Sequence, residues 1–184
     1  MIRTALAAAL MTTLAGCAAS AGVNGDTGTE VAAAGMTDPA IAAMASVTNQ
    51  GEIAASRLAL ERAQNASVRE FAQLMVDEHT RAEQQMQSLL ESQRLPKLQD
   101  AHAQAAIRSN EQTLATLRGL SGAAFDRAYT DAQVALHRWT LESLEQSLIP
   151  SARNDALEGF LEGMAPKVRS HLEMATRIQG ELGN

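Results

Sequence analysis

The chain has 184 residues, enough for one domain with a short extension. Its formal charge is −6 and no Lys/Arg cluster stands out, which argues against a nucleic-acid-binding face and against a basic membrane-binding surface. Aromatic residues make up only 3% and alanine is abundant, so the expected core is Ala, Leu, Met and Val on closely approaching helices.

The chain begins "MIRTALAAALMTTLAGC", with one cation, Arg3, followed by an apolar run. That run is too short to span a bilayer and has the form of a secretory signal peptide over residues 1–16. It ends in Leu14, Ala15, Gly16 and Cys17, which resembles the bacterial lipobox, where small residues precede a cysteine that becomes N-terminal and lipidated. Cys17 is the only cysteine, so no internal disulfide can form, and lipidation accounts for a lone thiol in an exported chain. The bland alternative is an ordinary cleaved signal peptide with an incidental cysteine. Ala18, rather than Asp, follows the cysteine, which in such lipoproteins points to the outer membrane. The expected location is therefore the cell envelope, lipid-anchored on the periplasmic face of the outer membrane. Residues 17–37 are small, polar and Gly-rich and read as a tether with a reach of roughly 20–25 Å.

From residue 38 to 184 the pattern is helical throughout. Asp38 and Pro39 predict an N-cap and a first-turn proline, opening a helix to about residue 64. Ser67 to Glu70 has the capping-box pattern, opening a second helix to about residue 93. Pro96 breaks it. A shorter, more polar third helix is predicted over 101–118. "GLSG" stops it, and Ser121 caps a fourth helix ending at Pro150. Asp155 and Glu158 suggest another capping box for a fifth helix to about residue 182, with Pro166 expected to kink or split it. No alternating strand pattern appears. Four long helices and one shorter one predict an all-α fold: a ferritin-like four-helix bundle with an additional shorter crossover helix. A simple up-down bundle carrying an extra helix is the alternative.

Three of the four histidines fall on apolar stripes, each near the middle of a different long helix. His79 follows Val68, Ala72 and Met75; His137 lies among Val134, Leu141 and Leu144; His171 lies among Val168, Ala175 and Ile178. Equal height on inward faces implies one shared layer. Glu52 is the mid-height polar candidate on the first helix. His102 starts the polar third helix and reads as solvated. Three imidazoles and a carboxylate at one level outline a site for a single transition metal, Zn, Cu or Fe. Each ring taken alone reads instead as a structural residue bonded to an acid such as Glu52, Asp77 or Glu78, or to water. Di-iron bundles need Glu-x-x-His, but Val76, Val134 and Val168 stand three residues before the histidines, so a ferroxidase centre is not expected. Met75 and Met174, one turn from His79 and His171, would suit copper as thioether ligands or simply fill gaps in the core. No nucleophile elbow, catalytic cysteine or phosphate-binding glycine loop is present.

"VREFAQLMVDEHTRAEQQM", "LSGAAFDRAYTDAQVALH" and "APKVRSHLEMA" together resemble the bacterial domain-of-unknown-function 4142 family over about residues 38–182. The motif positions matched are Glu52, His79, Phe125, Asp126, Tyr129, His137, Pro166 and His171. The resemblance implies an exported or lipid-anchored protein with a ferritin-like bundle, and it assigns no activity.

The expected function is a non-enzymatic binding or stress-related module, tied to the membrane through its N-terminal lipid and with no nucleic-acid partner. A metal-binding bundle using His79, His137, His171 and Glu52 is the alternative, and an oxidoreductase the third reading. The lipid anchor has a direct test. Cys17→Ala should leave the precursor unprocessed by the lipoprotein pathway and unlabelled by a fatty-acid probe. A wild-type chain that takes up no label and is recovered soluble from the periplasm would remove the anchor.

Overall fold

The computed structural model describes residues 36–98 and 100–183, and among them no strand occurs. The signal peptide, Cys17 and most of the tether lie outside the described residues. Helix α1 spans Asp38–Arg62, α2 Ala66–Gln93, α3 Ala101–Arg118 and α4 Gly122–Ser143. A π-helical turn, Leu144–Leu148, and a short α5, Ile149–Ser151, prolong α4, and α6 spans Asp155–Leu182.

The starts of α2, α3 and α6 are set by side chains that accept from orphaned amides, whereas Ser121 stands at the cap position of α4 without a side-chain bond. Asn65 caps α2 by accepting from Val68 N–H at 3.2 Å, and Asn154 caps α6 by accepting from Leu157 N–H at 3.0 Å. These asparagines, not Ser67 and Asp155, are the caps, since each amide oxygen belongs to the residue just before the helix and meets the first-turn N–H three residues on. Asp100 caps α3 in the same way, accepting from Ala103 N–H at 2.9 Å. Thr37 precedes α1, while Asp38 reaches across to accept from Arg153 N–H at 2.8 Å.

Two prolines lie inside helical segments. Pro150 stands in the last turn of the fourth helix, which ends at Ser151, one residue beyond it, after a π turn widens the preceding backbone. Ile149 N–H there bonds the Leu144 carbonyl, five residues back. Pro166 does not split α6, which is continuous from Asp155 to Leu182. Pro166 is exposed, so water can serve the carbonyl that loses its partner.

Cross-helix bonds fix the directions. Ser56 with Tyr129 and Glu52 with Gln133 make α1 antiparallel to α4. Ser46 with Glu83 and Asn49 with His79 make α1 antiparallel to α2. Helices α2 and α4 are therefore parallel, which needs a return along the length of the bundle. Helix α3 makes that return on the outside of α1: Asn110 Nδ2 donates to the Val47 carbonyl at 3.0 Å, and Arg62 Nη1 donates to the Arg118 carbonyl at 2.7 Å. This is the all-α, ferritin-like four-helix bundle with a crossover helix. Asp126 locks the α1–α2 turn from α4, accepting from Gln64 N–H at 3.1 Å and Asn65 N–H at 2.9 Å.

The core has two apolar clusters. One gathers Ala55, Ala59, Val68, Phe71, Met75, Phe125, Tyr129, Ala175 and Ile178. The other gathers Ile41, Met44, Met86, Leu90, Leu144, Leu157, Leu161 and Val168. Between them on α1 lie Asn49 and Glu52, on α2 His79, on α4 His137 and on α6 His171. A polar layer thus divides the core across its middle.

Gly51 shows how tightly α3 docks. A Cβ there would stand 2.2 Å from Asn110 Nδ2, so the amide that reaches Val47 occupies the space glycine leaves. Gly51→Ala should gain roughly 1 kcal/mol of helix propensity. It should lose more than that by expelling the Asn110 amide and its bond, for a net cost of about 1–2 kcal/mol. In an Asn110→Ala background the same change should stabilise by up to about 1 kcal/mol. Denaturant unfolding of the four chains measures the coupling, and additive effects would contradict the contact.

Candidate metal centre

His79, His137 and His171 reach the layer because each continues the inward stripe of its helix. His79 lies four residues past Met75 on α2, His137 three past Val134 on α4, and His171 three past Val168 on α6. All three are buried, at 9%, 2% and 4% exposure. Their ring centroids are 5.9, 5.7 and 5.3 Å apart. One ring nitrogen from each lies within 4.8 Å of one from each of the others.

Every ring is held from behind. His79 Nδ1–H donates to Asn49 Oδ1 at 2.9 Å. His137 Nδ1–H donates to the Gln133 carbonyl oxygen at 3.0 Å. His171 Nε2–H donates to Glu78 Oε2 at 3.0 Å. A neutral imidazole has one donor and one acceptor nitrogen. With the protons committed outward, the lone pairs sit on His79 Nε2, His137 Nε2 and His171 Nδ1, and these three buried atoms have no hydrogen-bond partner.

Electrostatics keep two of the rings, His79 and His171, neutral. Burial pushes the His79 imidazole down to about 3, with charge on His137 and then His171 adding to the effect. Burial and then His137 push His171 down to about 4, against the Glu78 carboxylate, which pulls it up. Protons therefore compete poorly for the ring nitrogens of His79 and His171.

Glu52 stands beside the triad rather than in the group of three nitrogens. It is 1% exposed; its Oε2 accepts from Gln133 Nε2 at 2.9 Å and its Oε1 has no partner. Burial raises its pKa, with His137 and the Gln133 amide opposing. Gln133 links the two sites, holding Glu52 with its side chain and His137 with its backbone carbonyl. Tyr129 closes this side of the layer, its hydroxyl 2.9 Å from Ser56 Oγ. Burial and the Glu52 carboxylate push that phenol above its usual range.

Asn49 and Gln133 escape a search for ligands and acids, because both are amides. Their signal is a polar side chain at a core position, Asn49 three residues before Glu52 and Gln133 four before His137. Of the two acids beside His79 in sequence, Glu78 meets His171, while Asp77 is exposed and accepts from Gln73. Met75 and Met174 pack in the apolar cluster on the side of Phe71. His102 is exposed at the start of α3.

The donor set suits an ion that takes neutral nitrogen. Three imidazoles whose far nitrogens donate to oxygen are the usual protein arrangement around Zn, Cu or Fe. Nitrogens about 2.0–2.1 Å from one tetrahedral ion stand about 3.3 Å apart, within reach of small ring movements here. A di-iron carboxylate centre does not fit, since valines occupy the positions from which bridging acids would come.

A family model described as "Domain of unknown function (DUF4142)" matches residues 26–178. No curated protein matches the chain. Among solved structures, a Streptomyces coelicolor protein described as a secreted DUF305 protein superposes with a TM-score of 0.65 at 16% identity, over 80% of this chain and 94% of that one. At that identity the likeness is one of fold.

The neutral rings set an acid limit on the metal-free chain. Folded, His79 and His171 stay unprotonated down to about pH 3 and 4; unfolded, both take protons near 6.5. The unfolded state then binds more protons, so stability falls as pH drops from 6.5 towards 4. Each ring contributes up to about 1.4 kcal/mol per pH unit in that window. Glu52 acts in the opposite sense, its raised value removing stability as pH rises above 4.5. One carboxyl against two imidazoles leaves a net loss on acidification between 6.5 and 4.5. Urea unfolding of chelator-treated protein at pH 6.5 and 5 should show it, and His79→Gln should flatten the slope. Stability unchanged across that range would mean that the rings are not held neutral.

Proposed function

The chain belongs to the DUF4142 family, whose description names no activity, and from its core geometry we propose that it is a non-enzymatic, lipid-anchored envelope module that holds one transition-metal ion on His79, His137 and His171. One observation carries the reading: three buried ring nitrogens, each without a partner, on rings whose other nitrogens are all committed to oxygens. Leaving such atoms unserved costs about 1–3 kcal/mol each, and a coordinated ion would offset that cost.

Imidazole favours Zn, Cu or Fe(II) over Mg or Ca. Glu78 and Glu52 would balance the charge, the first through His171 and the second through Gln133. Glu52 is a positioning residue in this reading, not one of the three nitrogen ligands. The envelope location rests on the signal peptide and lipobox of residues 1–17. Among the described residues no helix is long and apolar enough to cross a membrane. The membrane partner is then the lipid on Cys17, and no nucleic-acid partner is implied.

A second reading keeps the triad as a structural layer. It draws on the fact that each ring already has one good hydrogen bond. The two readings separate on metal content. Under the metal reading, purified protein exposed to Zn, Cu or Fe(II) should retain about one equivalent after desalting, and a hundredfold excess over Kd should stabilise it by about 2.7 kcal/mol. His137→Ala should abolish both effects, and Glu78→Gln should weaken affinity about 10–100-fold. No retained metal and no stabilisation would leave the structural reading standing.

A further inference from the structure

Five buried acceptor atoms of the polar layer have no partner: His79 Nε2, His137 Nε2, His171 Nδ1, Glu52 Oε1 and Gln133 Oε1. An ion on the three histidines accounts for the nitrogens and leaves the two oxygens unserved. The remaining buried oxygens without a partner, on Glu83 and Gln87, belong to a separate network around Ser46, outside the layer.

The two oxygens of the layer form one unit. Gln133 Nε2 donates to Glu52 Oε2 at 2.9 Å, so the carboxylate and the amide each keep one oxygen to spare. Both side chains are buried, at 1% and 2% exposure. They stand one helical turn from the triad. Gln133 precedes His137 by four residues on α4, and Glu52 follows Asn49, which holds His79, by three on α1. A turn rises about 5.4 Å. The neighbouring protein groups offer these oxygens no donor. Ser56 Oγ and the Tyr129 hydroxyl bond each other at 2.9 Å, and Phe71 packs against the His137 ring at 6.4 Å.

A carboxylate oxygen and an amide oxygen only accept, so this pair needs two donors. An ion held by three protein nitrogens keeps a fourth position, which water takes in such sites. A water oxygen there lies about 2 Å from the ion, and its hydrogen bonds span about 2.7–2.8 Å more. That sum reaches an acceptor one turn away, too distant to bind the ion itself. Glu52 fits this description, since it stands outside the group of three nitrogens that can share one ion.

We infer that Glu52 and Gln133 are the receptor for a water ligand of the ion. Its oxygen completes the coordination by His79, His137 and His171, and its two O–H groups donate to Glu52 Oε1 and Gln133 Oε1. One ion and one water then satisfy all five acceptors. This inference rests on the metal reading above and makes Glu52 and Gln133 positioning residues for the fourth ligand.

Zinc and cobalt test it in the full chain. Crystals of zinc-loaded protein, with the ion located by its anomalous signal, should show one non-protein oxygen on zinc within hydrogen-bonding distance of Glu52 Oε1 and Gln133 Oε1. Glu52→Gln keeps the shape and removes the charge, and it should weaken zinc binding about 10–100-fold. Gln133→Leu keeps the backbone carbonyl that holds His137; it should weaken binding by a smaller factor, and it supplies the test if Glu52→Gln fails to fold. In the cobalt(II)-loaded wild type, electron–nuclear double resonance should show protons of a bound water that exchange in deuterium oxide. Either variant should change their coupling, which a role in packing alone would not. Zinc bound without that oxygen, or bound directly by Glu52, overturns the water receptor and leaves the metal site. Zinc affinity unchanged in both variants overturns it as well. A wild-type chain that retains no zinc, copper or iron overturns the metal reading itself, and this inference with it.

Discussion

Three hydrogen bonds that point away from the centre of the core determine what the centre can be. A neutral imidazole has one proton to place. Asn49, the Gln133 carbonyl and Glu78 each draw that proton outward, from three different directions. Had Asn49 or Glu78 been an apolar side chain, the ring it holds could turn its N–H inward and bond a neighbouring ring. Instead, three acceptor nitrogens are left in one buried layer. The Gln133 carbonyl lies on His137's own helix, while Asn49 and Glu78 reach across from α1 and α2, so the electronic state of the layer depends on α1, α2 and α6 holding their relative heights.

That dependence explains the division of labour in the core. The two apolar clusters lie on either side of the polar layer and supply the burial that holds the bundle together. The layer itself contributes little to stability, since it contains buried polar atoms without partners. Heights are fixed at the ends, by Asp126 on the α1–α2 turn and by Asp38 on the turn before α6. Crossover helix α3 contributes no side chain to the layer; it buries only Ala103 and Leu117 and serves to bring α4 back to the correct end.

Most of the architecture was legible in the sequence because it is written in periodicity. The stripe of Val68, Ala72, Met75, His79, Ala82 and Met86 has helical spacing, and it placed His79 inside before any coordinates. Equal heights followed from the lengths of the helices, and the crossover from the shorter polar segment. Caps were read less well, because Asn65 and Asn154 each precede a more familiar pattern, Ser67 to Glu70 and Asp155 to Glu158. The outcome at Pro150 was not legible either: a π turn is a local adjustment of hydrogen bonding with no periodic signature. Glu52 could be placed in the layer but not at a distance, because periodicity gives a side chain's face and height and not its reach. The amides of Asn49 and Gln133 were overlooked for a related reason. An amide has no charge to mark it, and its importance lies in which atom it faces across a helix interface.

The π turn bears on how this chain could change length. Each residue of a regular helix advances about 100° around the axis, so removing one residue between Asp126 and His137 would swing the ring away from its two companions. A π turn already contains one residue more than an α turn needs. Deleting a residue within 144–148 would let the backbone close into ordinary α-helix, leaving everything before it in place, His137 included. The same helix therefore has a rigid stretch, where an indel destroys the layer, and an absorbing stretch, where an indel is taken up by local rewinding. Variation in chain length among homologous bundles would be tolerated at the second and purged at the first.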